Sequence, residues 1–380
     1  MEQMTKRERL LAALHGQPVD RVPWSPLIDD YFISSLRDAG RKDAEIISVM
    51  REIGNDILER HVPCVDQHME NVEIRYSSNE NDTVRWAHYT TPVGNLTCEW
   101  KFSGHTWALS EHLIKTVEDM KTYQYIAEHT TYTSNFQQFI DRDAYIGDDG
   151  IPTASGPMSP ILELLQMLCG IEPTVFLMMD YPDEMNELLH ALHERNLRQY
   201  RVLAESPALA VFDYEDTSTT FMNRSMLNDL SIPAFNDYAD IIKGAGKIFI
   251  THMCGSLSGF AEDIGKGRQD GVDSVCPPDT GDLCPWDARA AWGKKIIIGG
   301  ICPPDLARLS VRQNLQIVYD ILMKMPTLQG FILCTGDATP YGTPVNNLRA
   351  ITRLIEALGP RSLTREIDQA TLDRVAAEFM

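Results

Sequence analysis

The stretch KIFITHMCG, residues 247–255, decides how this chain is read. It opens on an apolar run, closes on a histidine and a cysteine, and meets a glycine where the backbone would turn. A run that is apolar at consecutive positions, not alternate ones, marks a strand covered on both faces, as in parallel sheets. The pattern recurs. AYIGDDGIPTASGP, ALAVFDYED, KIFITHMCG, GVDSVCPP, KKIIIGG and GFILCTG alternate with amphipathic stretches near 159–170, 233–245, 257–264, 285–293, 311–325 and 343–358. Alternation of this kind builds a parallel sheet with helices on its faces. This many units, without a GxGxxG turn, predict an α/β chain folded as a closed (β/α)8 TIM barrel.

Outward from this core, TKRERLLAALHG predicts a helix capped by Thr5 and stopped at Gly16, and RVPWSP a short extended segment. Residues 33–52 read as helical. Residues 70–107 alternate, carry aromatic and β-branched residues, and are punctuated by Asn-Asp and Pro-Val-Gly. They predict an antiparallel hairpin insertion packed on the barrel. The expectation is a single barrel domain over 1–380 with that insertion.

Bulk composition narrows the function. Lys and Arg number 34 against 54 Asp and Glu, a net charge of −20. That balance argues against nucleic-acid and anionic membrane surfaces, which need basic patches. No stretch reaches the ~18 apolar residues of a membrane helix, and no signal-peptide pattern opens the chain. The eight cysteines are scattered at 64, 98, 169, 254, 276, 284, 302 and 334. This spread reads as reduced thiols, some of them metal ligands, and gives a cytoplasmic expectation.

In such barrels chemistry collects where the strands end. Asp213, Glu215 and Asp216 follow VF; His252 and Cys254 follow KIFIT; Cys276 follows DSV; Cys302 follows KKIIIGG; Cys334 and then Asp337 follow GFIL. Alternate residues of an extended segment share a face, so His252 and Cys254 converge with Met253 turned away. His252, Cys254 and Cys334 form a borderline-soft donor set that suits Zn²⁺. Three protein ligands leave an open position, the catalytic pattern. Glu215 is the expected further ligand. Glu215 and Asp216 are also candidate proton donors, and Asp337 is a candidate to orient substrate. Bland alternatives stand beside each. Buried cysteines are often small fillers, the acids could cap a helix or pair with Arg224, and Asp337 could serve only its turn.

Several other features carry less. DQHMEN holds Asp66 and His68 but lacks the glycine of a cobalamin-binding Asp-x-His-x-x-Gly segment. Cys276 and Cys284 read as loop or packing residues; Cys302, also at a strand end, is left out of the ligand set. Trp86, His88, Trp100, Phe102, His105 and Trp107 crowd the insertion. They would either cover an aryl group at the barrel mouth or form the insertion's own core.

Four segments resemble the uroporphyrinogen decarboxylase superfamily: RERLLAALHGQPVDRVPWSP, TTPVGNLT, HMCG, and TGDATPYGTPVNNLRAITRLIEALG. The likeness runs along nearly the whole chain and implies a (β/α)8 barrel. One branch decarboxylates a tetrapyrrole with an Arg-rich segment near its N-terminus. The RVPWSPLIDDYF stretch stands in that place here, and Arg37–Arg41 lies too far downstream. The other branch comprises corrinoid-dependent methyltransferases with a His-x-Cys…Cys zinc motif, which His252, Cys254 and Cys334 match residue by residue. HYTTPVGNLTCEWKFSGHTW resembles the O-demethylase members of that branch. The resemblance implies methyl transfer from a small methylated substrate, foremost an aryl methyl ether, to the Co(I) corrinoid of a separate protein. A homodimer, a thiol-methylating enzyme and a decarboxylase stay open as expectations.

Overall fold

The computed structural model describes residues 3–104 and 106–379. Its strands run in the order β1 (Ile57–Glu59), β2 (Val65–Met69), β3 (Glu73–Ser78), β4 (Val84–Thr91), β5 (Gly94–Phe102), β6 (Trp107–Glu111), β7 (Thr130–Ser134), β8 (Gly150–Pro152), β9 (Ala154–Gly156), β10 (Ala210–Asp213), β11 (Ile248–His252), β12 (Gly271–Val275), β13 (Ile296–Ile301) and β14 (Phe331–Thr335). β9 to β14 form a six-stranded parallel sheet in sequence order.

Short hydrogen-bonded links close the ring. β1 pairs in parallel with β8, and β8 continues through Thr153 into β9. Thr153 N donates to Glu59 O at 2.8 Å, and Val62 N donates to Thr153 O at 3.0 Å. On the other side, Trp24 forms a parallel bridge with Leu333 of β14. Ser25 N donates to Leu333 O and Leu333 N to Pro23 O, both at 3.0 Å, while Asp56 N donates to Trp24 O at 2.9 Å ahead of β1. The segment around Trp24 is extended, as the RVPWSP reading anticipated, and it serves as the first barrel strand.

Alternation sorts the side chains. Leu58, Phe212, Ile248, Ile250, Ile296, Ile298, Ile332 and Cys334 pack together inside the barrel. Val211, Phe249, Val272, Ile297, Phe331 and Leu333 face outward into the helix layer. Leu10, Ala13 and Leu14 of the first helix, Lys6–Leu14, join the interior cluster. Thr5 caps that helix with a reciprocal Glu8 bond, as its sequence predicted. The barrel helices Ile232–Gly244, Pro285–Trp292, Val311–Lys324 and Val345–Leu358 fall close to their predicted spans. Unpredicted elements include the helix Pro182–Glu205, which follows Ile171–Asp180 between β9 and β10. Residues 33–52 are two helices, Asp30–Asp38 and Ile46–Ile53.

The insertion is a four-stranded antiparallel sheet, β3-β4-β5-β6, with a separate antiparallel pair β2-β7 beside it. Ala87, Leu96 and Cys98 of the sheet pack with Ile126, Leu188 and Leu192 in a core of their own. Among the described residues no helix is long and apolar enough to cross a membrane.

Candidate metal centre

The alternation that fills the barrel with Phe212, Ile250 and Ile332 continues past the strand ends. The inner face then carries polar groups: Arg60 after Leu58, Tyr214 and Asp216 after Phe212, His252 and Cys254 after Ile250, Asp273 after Gly271, and Cys334 after Ile332. Ligand atoms of Asp216, His252 and Cys254 lie within 4.8 Å of one another. Asp216 Oδ1 stands 3.4 Å from Cys254 Sγ and 3.7 Å from His252 Nε2. Tetrahedral zinc, with bonds of about 2.0–2.3 Å, sets neighbouring ligand atoms roughly 3.3–3.8 Å apart. The trio fits that geometry and that donor preference.

Behind the trio stands a support that the sequence reading missed. His252 Nδ1 is 2.7 Å from Asp273 Oδ2. A carboxylate on one ring nitrogen fixes the tautomer and leaves the other nitrogen's lone pair free, the usual arrangement behind a metal-binding histidine. Arg60 donates to both oxygens of Asp273, at 2.8 and 3.2 Å, and its Nη2 lies 3.5 Å from Cys334 Sγ. Burial works to raise the Asp273 carboxyl, but Arg60 and His252 outweigh it and hold the group down at about 2. Burial works to lower the His252 imidazole, yet Asp273 and Asp216 raise it. Burial pushes up the Cys254 thiol, reinforced by Asp216, and the Cys334 thiol to about 11 against the pull of Arg60. A bound dication would reverse the burial effect on both thiols, since a coordinating thiol is deprotonated.

The predicted site residues separate accordingly. His252 and Cys254 converge. Cys334 points into the barrel and shares Arg60 with Asp273 rather than joining the 4.8 Å group. Glu215 faces the other way: its carboxylate accepts from Ser159 N at 2.8 Å and Ser159 Oγ at 3.0 Å. The period of two that brings Tyr214 and Asp216 inward turns Asp213 and Glu215 outward. Asp216 therefore occupies the place expected of Glu215. Arg224 pairs with Asp263 at 3.2 Å, not with this acidic run. Asp337 lines the cavity and also accepts from Ala338 N at 2.7 Å within its own turn. Cys302 Sγ contacts Thr280 Oγ1 at 3.4 Å, and Cys276 Sγ contacts Pro277 O at 3.3 Å, so both have local packing partners.

The trio opens on a cavity of about 490 Å³, a size that suits a small molecule. Leu27, Ile28, Ile46, Met50 and Leu58 supply apolar wall; Asp29, Asp30, Glu59, Arg60, Arg142 and Asp337 supply charge. His61, in the left-handed region at φ 64°, stacks on Tyr214 with ring centroids 3.9 Å apart, and the Tyr214 ring lies 5.0 Å from that of His252. A larger cavity of about 570 Å³ lies elsewhere, on the insertion sheet between Tyr76, Trp86, Trp100 and Trp107. The described members of the predicted aromatic cluster therefore belong to the insertion, and none of them lines the metal-capable cavity. His105 lies outside the described residues. Asp66 and His68 sit on the exposed β2-β7 pair, where His68 contacts Thr133 Oγ1 at 2.8 Å.

Arg60, Tyr214 and Asp273 left a faint trace in the sequence. GVDSV places an acid inside an apolar strand, and a buried charge is more informative than a buried leucine. DILERH was too short a run to read as a strand.

A family model described as uroporphyrinogen decarboxylase (URO-D) matches residues 90–358. No curated protein matches the chain in sequence. Among solved structures the chain is similar to a methyltransferase from Methanosarcina mazei, at 12% identity with 99% of each chain covered and a TM-score of 0.59. A D-psicose 3-epimerase from Clostridium cellulolyticum H10, solved with D-tagatose, is 13% identical over 64% of this chain and 81% of that chain, with a TM-score of only 0.30. At this identity, the likeness to the methyltransferase is one of fold.

Proposed function

The chain belongs to the uroporphyrinogen decarboxylase (URO-D) family, and from that premise we propose that it is a zinc-dependent methyltransferase. Its methyl donor is a small methylated compound of the ether class, and its acceptor is the Co(I) corrinoid of a separate protein. The observation that carries this reading is the convergence of Asp216, His252 and Cys254 on one cavity, with Asp273 behind the histidine.

Asp216, His252 and Cys254 would hold the metal; Cys334 stands outside that trio, beside Arg60 at the end of β14. A bound Zn²⁺ would supply a Lewis acid for the leaving heteroatom, whose poor leaving ability is the main barrier to transfer of an ether methyl. The chain's own residues do the rest. Asp273 holds the Nδ1 proton of His252 and so aims Nε2. Arg60 holds Asp273 and lies beside Cys334, where its charge favours the thiolate. As the methyl carbon–heteroatom bond breaks, its electron pair stays on the heteroatom, and the carbon accepts a pair from the corrinoid's cobalt. The heteroatom then takes a proton from solvent, and Asp337 in the cavity wall would orient the substrate. The walls of Ile28, Ile46 and Met50 exclude water from the reacting end.

A decarboxylase reading is less well supported. Arg60 and Arg142 in the cavity are already paired with Asp273 and Glu59, so neither is free to receive a polycarboxylate. The test is to measure zinc content, then follow methylation of cob(I)alamin by absorbance with a panel of methyl ethers, methylated amines and methyl thioethers. About one zinc per chain is expected, lost in Cys254→Ser, with transfer lost on chelation. Full-rate transfer from a metal-free preparation would overturn the reading.

A further inference from the structure

One cavity residue has no part in the chemistry just described. Glu59 ends β1, and its side chain lies on the face opposite Leu58 and Arg60, toward the helix Phe136–Ile146. It lines the cavity and is 8% exposed. Its Oε2 is buried and has no hydrogen-bond partner among the described residues. Oε1 lies 3.4 Å from Arg142 Nε, and Arg142 is shared with Glu45 at 3.7 Å. A buried carboxylate oxygen without a donor is costly and calls for an explanation. The terminal torsion of a glutamate is soft, so either oxygen can turn to the cavity. Burial pushes this carboxyl up to about 7, with Arg142 pulling it back, as befits an acid lacking its full complement of donors.

The charge around it is mainly negative, with five carboxylates in the cavity wall against two arginines. Asp29, Asp30, Asp216 and Asp337 share the wall with Glu59, whereas Arg60 is committed to Asp273 and Arg142 lies between two glutamates. An anionic ligand would meet repulsion here, and a cation would meet a waiting acceptor. Arg60, on the inner face of β1, reaches the partner of His252, and Glu59, on the outer face, reaches Arg142. Apolar Leu58, Ile46 and Met50 also line the space they share.

We infer that Glu59 is the specificity residue of this cavity and accepts the N–H of an ammonium group on the substrate. On the methyl-transfer reading, the substrate is then a small amine-bearing methyl ether or thioether. Its methylated heteroatom lies at the Asp216–His252–Cys254 trio and its ammonium group at Glu59. Carboxylated aryl ethers and anionic thiols are selected against.

Calorimetric titration of the zinc-loaded full chain at about pH 8 tests this with a matched series: para-methoxybenzylammonium, para-methoxybenzyl alcohol and para-methoxybenzoate. The cation is expected to bind about tenfold or more tightly than the other two, the scale of a charged hydrogen bond. In Glu59→Gln that preference should fall about tenfold, with the alcohol's affinity within about threefold of its original value. Equal affinities, no binding of the cation, or an undiminished preference in Glu59→Gln would each overturn the inference. The charge series in the unaltered protein stands even if the variant folds poorly. Binding is read without turnover, so the two readings fail separately. A cation preference with no transfer to cob(I)alamin sinks only the methyl-transfer reading; transfer without any cation preference sinks only the role of Glu59.

Discussion

Asp273 has two duties that a single substitution exposes together. It orients His252 and neutralises the buried Arg60. Asp273→Asn should lower zinc affinity about 10–100-fold, as loss of a carboxylate behind a metal-binding histidine does. It should also destabilise the fold by roughly 3–5 kcal/mol, because Arg60 is left buried and unpaired. Competition with a chromogenic chelator reads the first effect and denaturant melts the second. Wild-type metal affinity in this variant would show that the His252–Asp273 bond has no bearing on the site. Glu59 gives a pH signature. Its folded pKa of about 7 lies above its ordinary 4.5, so between those values the folded chain binds more of this proton than the unfolded chain does. Stability from this group is therefore full below about pH 4.5 and is lost as pH rises through about 7. Glu59→Gln removes that slope, so the loss of stability from about pH 5 to pH 8 should be smaller in the variant than in the wild type. Identical slopes in paired denaturant melts would show that the group does not titrate there.

Among the elements, one alternation governs the site and one close approach shapes the insertion. The β10 run keeps its period past Asp213, and this rather than acidity selects Asp216 over Glu215 for the cavity. The second concerns the insertion, whose strand β5 packs closely against the helix Val117–Glu128. At Gly94 a Cβ would come within 2.4 Å of Thr122 Oγ1. Gly94→Ala should cost about 1–3 kcal/mol through overpacking. Adding Thr122→Ala should recover much of it, a coupling that a double-mutant cycle measures. Zinc affinity should not change in either variant, because the insertion has its own core. Strictly additive losses would show that the two positions do not meet.

The barrel as a whole depends on a charge cluster at its closing strands. Arg9, 2% exposed, donates to Asp20 at 2.6 and 2.9 Å and to Asp56 at 2.6 Å. Asp56 also accepts from Arg21 and from Trp24 N at 3.0 Å. One arginine thus joins the first helix to the strand that bridges β14 and to the residue ahead of β1. Arg9→Met leaves two buried carboxylates short of a partner and should cost roughly 3–5 kcal/mol. Hydrogen exchange should rise at Trp24, Ser25 and Leu333, the amides at the ring's thinnest closure. Protection unchanged at those amides would place the closure's strength elsewhere.

Local sequence pattern set the repeating strand–helix rhythm, the polar strand ends, and the convergence of His252 with Cys254. These follow from local periods: two along a strand, 3.6 along a helix, with apolar runs where both faces are covered. Which acid turns inward, the place of Asp273 and Arg60 behind the histidine, and the separation of the described insertion aromatics from this cavity arise from the folded ring alone. Those outcomes depend on which face of each strand meets the barrel axis and on contacts between residues far apart in the chain, such as Arg60 with Asp273 and Cys334. A local pattern holds no information about such contacts until the ring closes.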